Sequence, residues 1–353
     1  MRILITAGGT GGHIMPAVAI AEAIRDKLPD VKILFVGTDR GMEERIAGLH
    51  GLDFIPLQAQ GIKGKSARNL WQAVLVNVRA LIGALRIVRD FSPAWVIGTG
   101  GYVTGIVVLA GWLVGSSCAI QEQNSIPGLT NRLLSRLASR IYLAFPDSQG
   151  RFAKGKALLV GNPLRKELAL QGRRYTGEGY LLILGGSLGA NSINRSSVKA
   201  LEILKSAGHT IPVIHQCGKS DSEWVKKAYQ EMGIDARVHE FIDDMAPVYQ
   251  GARLAVSRAG GITLSELSAM GTPAILVPYP HAADDHQTAN ARYVAAQGGG
   301  WIIPDAELTP ELLAHEIRTR FFDDEGLKNA SANMQQMGLG AGAETIAREI
   351  VGV

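Results

Sequence analysis

Four glycine clusters punctuate the chain, and each follows a short apolar run. GGTGGH (8–13) and TGGY (99–102) occupy the first half, and GGSLGA (185–190) and RAGG (258–261) the second. A glycine-rich turn that opens a helix offers an anion several backbone N–H groups and the positive end of the helix dipole. The chemistry indicated is diphosphate binding, twice. The first cluster is not a dinucleotide fingerprint, because the third glycine of that motif would fall on Ile14. Gly218-Lys219-Ser220 lacks the upstream glycine of an ATP-hydrolysing loop.

Polar residues beside these turns supply candidate roles. His13 stands at a helix start, where the dipole favours a neutral imidazole that can act as a base; a loop brace fits equally well. Glu122 is the second candidate base, with a structural hydrogen bond as its alternative. The Ser187 hydroxyl suits a diphosphate. Glu266 lies about one and a half turns into a helix opened by Gly260-Gly261, near enough to take hydroxyl hydrogen bonds from a ribose. Gln287 and Asn290 follow a proline-bounded strand and loop. No Asp-x-Asp pair occurs, and the acid pairs 243–244, 284–285 and 323–324 are adjacent, so their side chains diverge. No metal site is expected; helix dipoles and backbone amides would stabilise the leaving group.

The elements needed to position these groups alternate. Strands are predicted at 2–6, 32–36, 54–57, 95–97, 118–121 and 140–143, then at 180–184, 212–216, 237–240, 254–256, 274–277 and 300–303. Helical periodicity fills 17–27, 70–89 and 191–206. The fold class is α/β: two doubly wound Rossmann-like domains facing across a cleft, with ligands at the strands' C-terminal ends. Gly161-Asn162-Pro163 is the expected join. It divides the chain into residues 1–162 and 163–353, and the last helix could return to the first domain.

Composition narrows the class. A length of 353 residues favours two domains, and 46% apolar with 19% charged residues is ordinary globular composition. Cys118 and Cys217 sit in or beside apolar runs and make no disulfide framework. The sequence opens directly on a strand, without a secretory signal, so a cytoplasmic location is expected. Between Asp53 and Asp90 there is no acid, but there are Lys63, Lys65, Arg68, Arg79, Arg86 and Arg89, interleaved with Leu70, Trp71, Leu75 and Ile82. An apolar stripe with a cationic flank describes a helix resting on an anionic leaflet; a core-facing helix with a solvated basic edge is the alternative. Residues 91–121 read as strand, loop, helix and strand rather than a span. Few aromatic platforms accompany the basic residues, which disfavours nucleic acid.

Seven motifs in order, GGTGGHIMPA (8–17), GTGGYVTG (98–105), EQNSIPGLTN (122–131), GNPLR (161–165), GGSLGA (185–190), SRAGGITLSE (257–266) and DDHQTANA (284–291), resemble the MurG family of GlcNAc transferases. Gln121, where the family commonly has histidine, and Leu188, in place of a usual glutamine, are departures. The resemblance implies a GT-B architecture, UDP-GlcNAc as donor without a further cofactor, and inverting transfer to the muramoyl 4-hydroxyl of the lipid-linked pentapeptide acceptor, lipid I. An acceptor-binding, membrane-facing first domain and a UDP-GlcNAc-binding second domain follow from it.

Carried over by motif, Ile242 would meet uracil through its backbone and Glu266 the ribose. Ser187 and the helix start of Gly261, Ile262 and Thr263 would meet the diphosphate, assisted by Arg165 and Arg258, and Leu264 and Ser265 would also belong to the donor site. Gln287 and Asn124 would orient the sugar. Thr10, Gly11 and Gly12 would serve the donor and also face the acceptor pyrophosphate, beside Gly9, His13, Gly100, Gly101, Tyr102 and Thr104. The implied place is the cytoplasmic face of the bacterial inner membrane, in peptidoglycan synthesis, with contacts to other cell-wall proteins. A UDP-GlcNAc 2-epimerase and a non-catalytic nucleotide-sugar-binding scaffold are the rival readings.

Overall fold

Short apolar runs separated by amphipathic ones fold here into two parallel sheets. The computed structural model describes all residues except Thr10, Arg40, Gly41, 62–66, Ser148, Gln149, Lys154, 170–175, Ser187, Leu188 and Val353, together with the side chains of 67–70. Thr10, Ser187, Lys65 and the side chains of Arg68 and Leu70, all named above as site or membrane residues, therefore lie outside the described residues.

The first unit comprises Met1–Lys166 and Gly340–Val353, and the second Glu167–Leu339. The first holds strands β1 (Arg2–Thr6), β2 (Lys32–Thr38), β3 (Asp53–Leu57), β4 (Trp95–Gly98), β5 (Ser117–Glu122), β6 (Arg140–Leu143) and β7 (Ala157–Leu159), in the order β3-β2-β1-β4-β5-β6-β7. The second holds β8 (Tyr180–Leu184), β9 (Val213–Gln216), β10 (Ala236–His239), β11 (Ala252–Ser257), β12 (Ala274–Leu276) and β13 (Gly300–Ile302), in the order β10-β9-β8-β11-β12-β13. Neighbouring strands are parallel throughout.

Parallel strands need crossovers, and the crossover helices cover both sheet faces. In β1 the alternation is visible residue by residue. Ile3 and Ile5 join a core with the helices Gly11–Lys27 and Gly342–Val351, which supplies Ile346, Ala347 and Ile350. Leu4 turns to the opposite face, against the helices Ala67–Phe91 and Tyr102–Val114. In the second unit Leu181, Ile183, Leu254 and Val256 pack against the helices Asn191–Ser206 and Pro310–Phe321.

Three details differ from the sequence reading. Strand β7 was not expected; three residues, Ala-Leu-Leu, carry no β-branched signal. The first helix starts at Gly11, not at 17, although Pro16 inside it cannot donate to the Gly12 carbonyl. The helix predicted at 70–89 runs Ala67–Phe91.

In each sheet the chain reverses its winding at the central pair, β1 beside β4 and β8 beside β11. Loops leaving such a pair diverge and open a crevice at the strands' carboxyl ends. All four glycine clusters are those loops.

Candidate active site

In the first unit the loops after β1 and β4 nest. The Gly8 N–H donates to the Gly100 carbonyl (3.2 Å). Gly101 has φ +88, and a Cβ there would strike the Gly8 carbonyl; Gly100 has φ +128, and a Cβ there would strike the His13 imidazole. Glycine is required at both positions, by backbone conformation and by close approach. His13 lies in the first turn of its helix, half-buried against Gly100, and its carbonyl accepts from Thr99 Oγ1 (2.8 Å). Tyr102 is exposed at the start of the next helix. The Thr104 side chain is wholly buried and its hydroxyl donates to the Gly100 carbonyl (2.6 Å), so it clamps the turn. Gly9 has its N–H committed inward, to Glu43 Oε1 (3.1 Å).

Glu122 ends β5, almost fully buried. Its Oε1 accepts from the Asn124 N–H (3.1 Å), and its Oε2 from the Gly128 N–H (3.1 Å) and Asn131 Nδ2 (2.9 Å). Burial pushes its pKa above the ordinary carboxylate value, against the lowering effect of these donors. The carboxylate thus holds the loop that carries half-buried Asn124. Gln121 links Asn162 and Gln123: its Nε2 donates to Asn162 Oδ1 (2.8 Å) and its Oε1 accepts from Gln123 Nε2 (2.6 Å). Gln123 also donates to the Thr99 carbonyl, so this buried amide chain reaches the His13 turn. Arg165 follows, half-buried, in the same unit.

The second unit repeats the plan with other braces. Gly185 and Gly189 lie so close to the Ala190 amide and the Cys217 carbonyl that neither could carry a side chain. Gln216 Nε2 donates to the Gly186 carbonyl (3.2 Å), while its Oε1 accepts from the Ile242 N–H (2.9 Å). That leaves the Ile242 carbonyl as its remaining backbone group for a base. Behind the loop, His215 sits between Tyr229 (2.9 Å) and Asn194 (3.0 Å); burial lowers its pKa to about 3, and it is neutral.

The helix Gly261–Ala269 opens after extended Gly260, and its first turn brings half-buried Ile262 and Thr263 forward. Leu264 and Ser265 follow with both side chains fully buried: the Leu264 N–H donates to the Gly260 carbonyl (2.9 Å), and Ser265 Oγ donates to the Gly261 carbonyl (2.9 Å). Glu266 Oε2 accepts from the hydroxyl of buried Tyr249 (2.8 Å). Gln287 Oε1 accepts from the Ala259 N–H (3.2 Å) and the Tyr279 N–H (3.0 Å), pinning two loops, and buried Asn290 donates to the Ala259 carbonyl (3.1 Å). Arg258 does not project as a loose cation. Its guanidinium donates to Asp305 Oδ1 (2.5 Å), the Val277 and Pro278 carbonyls (3.1 and 3.3 Å) and Ser192 Oγ (2.9 Å), and it lies 5.5 Å from the centre of the Tyr279 ring.

Sequence reasoning missed Glu43, Gln216, Tyr249 and Asp305. Each braces a site loop or site side chain from another segment of the chain, and, Glu43 apart, no local pattern marks it. Glu43 alone had a faint signal: an acid two residues after Gly41, just past β2, where the sheet order puts it beside β1.

Residues 3–143 match the N-terminal domain, and 180–346 the C-terminal domain, of glycosyltransferase family 28. Over 350 residues the chain is 39% identical to the UDP-N-acetylglucosamine–N-acetylmuramyl-(pentapeptide) pyrophosphoryl-undecaprenol N-acetylglucosamine transferase of Myxococcus xanthus, covering 98% of this chain and 91% of the relative. The chain belongs to the MurG family. A crystal structure of MurG from Acinetobacter baumannii superposes with a TM-score of 0.84 at 30% identity, covering 100% of this chain and 99% of that one. The UDP-GlcNAc 2-epimerase of Neisseria meningitidis, at 14% identity and a TM-score of 0.69, shares the fold alone. Membership of the MurG family makes the protein a glycosyltransferase built from two parallel-sheet α/β domains.

Proposed function

We propose that the protein transfers GlcNAc from UDP-GlcNAc to the muramoyl 4-hydroxyl of undecaprenyl-pyrophosphoryl-MurNAc-pentapeptide, with inversion, giving the lipid-linked disaccharide used for peptidoglycan. The observation carrying this reading is identity to a transferase of that name over nearly the full length of both chains. The paired glycine loops at both switch points support it, since each suits a pyrophosphate.

The acceptor oxygen attacks the anomeric carbon while the bond from that carbon to the UDP oxygen breaks, and the hydroxyl proton passes to His13 in this reading. Glu122 acts as the brace for Asn124, because its oxygens already serve its own loop. The amides of Ile262 and Thr263 and the dipole of their helix meet the charge of departing UDP. Glu266 takes the ribose, and Gln287 offers its amide nitrogen to the sugar.

The membrane reading gains support from the helix Ala67–Phe91. Ala73, Ala80, Ala84 and Val88 face the core, while Trp71, Val74, Leu75, Val78 and Ile82 are exposed, as are Arg79, Arg86 and Arg89. Small side chains inward and large apolar ones outward reverse the pattern of a core-seeking helix. By length and composition Trp71–Phe91 could cross a bilayer, but a face built into the domain core and arginines along the rest suit a seat in the leaflet plane. Each arginine adds about 1 kcal/mol of attraction to an anionic surface. The site of action in this reading is the cytoplasmic face of the inner membrane.

Incubation with radiolabelled UDP-GlcNAc, with and without a short-chain lipid I analogue, tests the reaction. Label is expected in the acceptor, and chelator should not abolish it; epimerised sugar formed without acceptor would reject transfer. Trp71→Ser with Ile82→Ser should weaken binding to anionic vesicles severalfold and spare turnover of the soluble analogue.

A further inference from the structure

We propose that Glu43 is a positioning residue for the anion-binding turn after β1: its carboxylate fixes the Gly9 peptide and thereby the amides that meet the acceptor's pyrophosphate. The inference rests on the reading of that turn as an acceptor site.

Glu43 is the first residue of the helix Glu43–Leu49 and is wholly buried. Its Oε1 accepts from the Gly9 N–H (3.1 Å) and from Thr38 Oγ1 (2.8 Å). Its Oε2 is buried with no hydrogen-bond partner among the described residues. Glycine makes room for it: a Cβ on Gly37 would lie 2.9 Å from Glu43 Cβ, and one on Gly8 would lie 3.6 Å from Oε1 and 2.6 Å from Val103 Cγ1.

A buried carboxylate with one oxygen unpaired among the described residues is costly, and an apolar side chain of similar size would serve stability better. The helix dipole at its position offsets part of that cost. What the carboxylate contributes is direction. Gly9 has φ +95, a conformation from which a glycine peptide can flip readily. A flip of the Gly8–Gly9 peptide would turn the Gly8 carbonyl against the accepting oxygen, so that oxygen holds one orientation and presents the turn to an anion ready-made. A neutral acceptor could hold the same N–H, but it would have to reach as far.

Steady-state kinetics on the full chain with a short-chain lipid I analogue test this. Glu43→Ala is expected to raise the acceptor KM about tenfold, the scale of one hydrogen bond, with the donor KM within twofold. Glu43→Gln should recover most of the loss, because its amide oxygen still reaches Gly9 and Thr38. Glu43→Asp keeps the charge but withdraws it by one methylene, and should resemble Glu43→Ala. Calorimetric UDP affinity, expected unchanged, reports an intact second unit.

Donor and acceptor KM rising together, or an acceptor KM within twofold in both Glu43→Ala and Glu43→Asp, would overturn the proposal. Should Glu43→Ala fail to fold, the other two variants decide: equal acceptor KM values for Gln and Asp overturn it, and a higher value for Asp upholds it. Gly11→Ala separates the underlying reading, since its methyl would enter open space, with no atom within 4 Å beyond its chain neighbours and its own helix backbone. A rise in donor KM alone there removes the acceptor reading. A rise in acceptor KM there without one in the Glu43 variants removes Glu43 only.

Discussion

The two units share a topology and a pair of glycine loops at the switch point, yet they hold those loops with opposite charge. In the first unit carboxylates do the holding: Glu43 takes the Gly9 amide, and Glu122 takes the Asn124 and Gly128 amides. In the second the charged brace is a cation, Arg258, which works beside the neutral amides of Gln216 and Gln287, ties Ser192 at the start of one helix to the loop preceding another and is itself paired with Asp305. Carboxylates draw backbone N–H groups inward and fix the path of a turn. A guanidinium takes carbonyls, carboxylates and hydroxyls, and so uses up none of the amides at the start of the helix Gly261–Ala269. The second arrangement suits a leaving group that gains charge during the reaction; the first suits an acceptor diphosphate whose charge does not change.

This contrast makes graded predictions. The largest effect is expected at Arg258. Its side chain and that of Asp305 are 15% and 20% exposed, so Arg258→Ala strands a carboxylate in a largely buried place and should cost about 3 kcal/mol of stability. Urea titration measures this, and the variant Arg258→Met with Asp305→Leu should recover much of it. A double variant no better than the single would mean that the pair is not the brace.

A smaller effect is expected at Tyr249, whose hydroxyl fixes one oxygen of Glu266. Loss of a hydrogen bond to a charged group is worth about 1.5 kcal/mol, so Tyr249→Phe should raise the donor KM roughly tenfold with kcat little changed. Preference for UDP over its 2′-deoxy analogue should fall in parallel. If Glu266→Gln keeps that preference, the ribose assignment is wrong; if only Tyr249→Phe keeps it, the hydroxyl does not orient Glu266.

The smallest effect is a slope with pH. Burial raises the Glu122 pKa in the folded state, so between its ordinary value of 4.5 and the raised one the folded protein binds more protons than the unfolded chain. The contribution of Glu122 to stability is therefore fully present below about pH 4.5 and is lost as pH rises through the raised value. Glu122→Gln should remove this part of the dependence while losing a hydrogen bond, because its amide nitrogen would confront donors. Identical pH slopes for the two proteins would show that Glu122 does not carry it.

How far the sequence alone reaches can be judged from particular residues. The four glycine clusters were legible because positive φ and close backbone approach admit almost no other residue, as Gly100 and Gly101 show. Most strands were legible because a strand buried on both faces must be apolar along its whole length. Strand β7 was not: its three half-exposed residues belong to a sheet edge and owe their conformation to β6.

Spacing along the helix Ala67–Phe91 announced an amphipathic element but could not say which face is inside. Only the packing of Ala80, Ala84 and Val88 against the sheet decided that Trp71 and Ile82 point outward. In the same way Arg258 reads as a cation beside a phosphate loop, and little in the sequence singles out Glu43. Their partners, Asp305 and Gly9, lie far along the chain and are brought near by strand order. Local conformation and burial are written in neighbouring residues; the pairing of polar groups is not, because it follows from which strands the fold sets side by side.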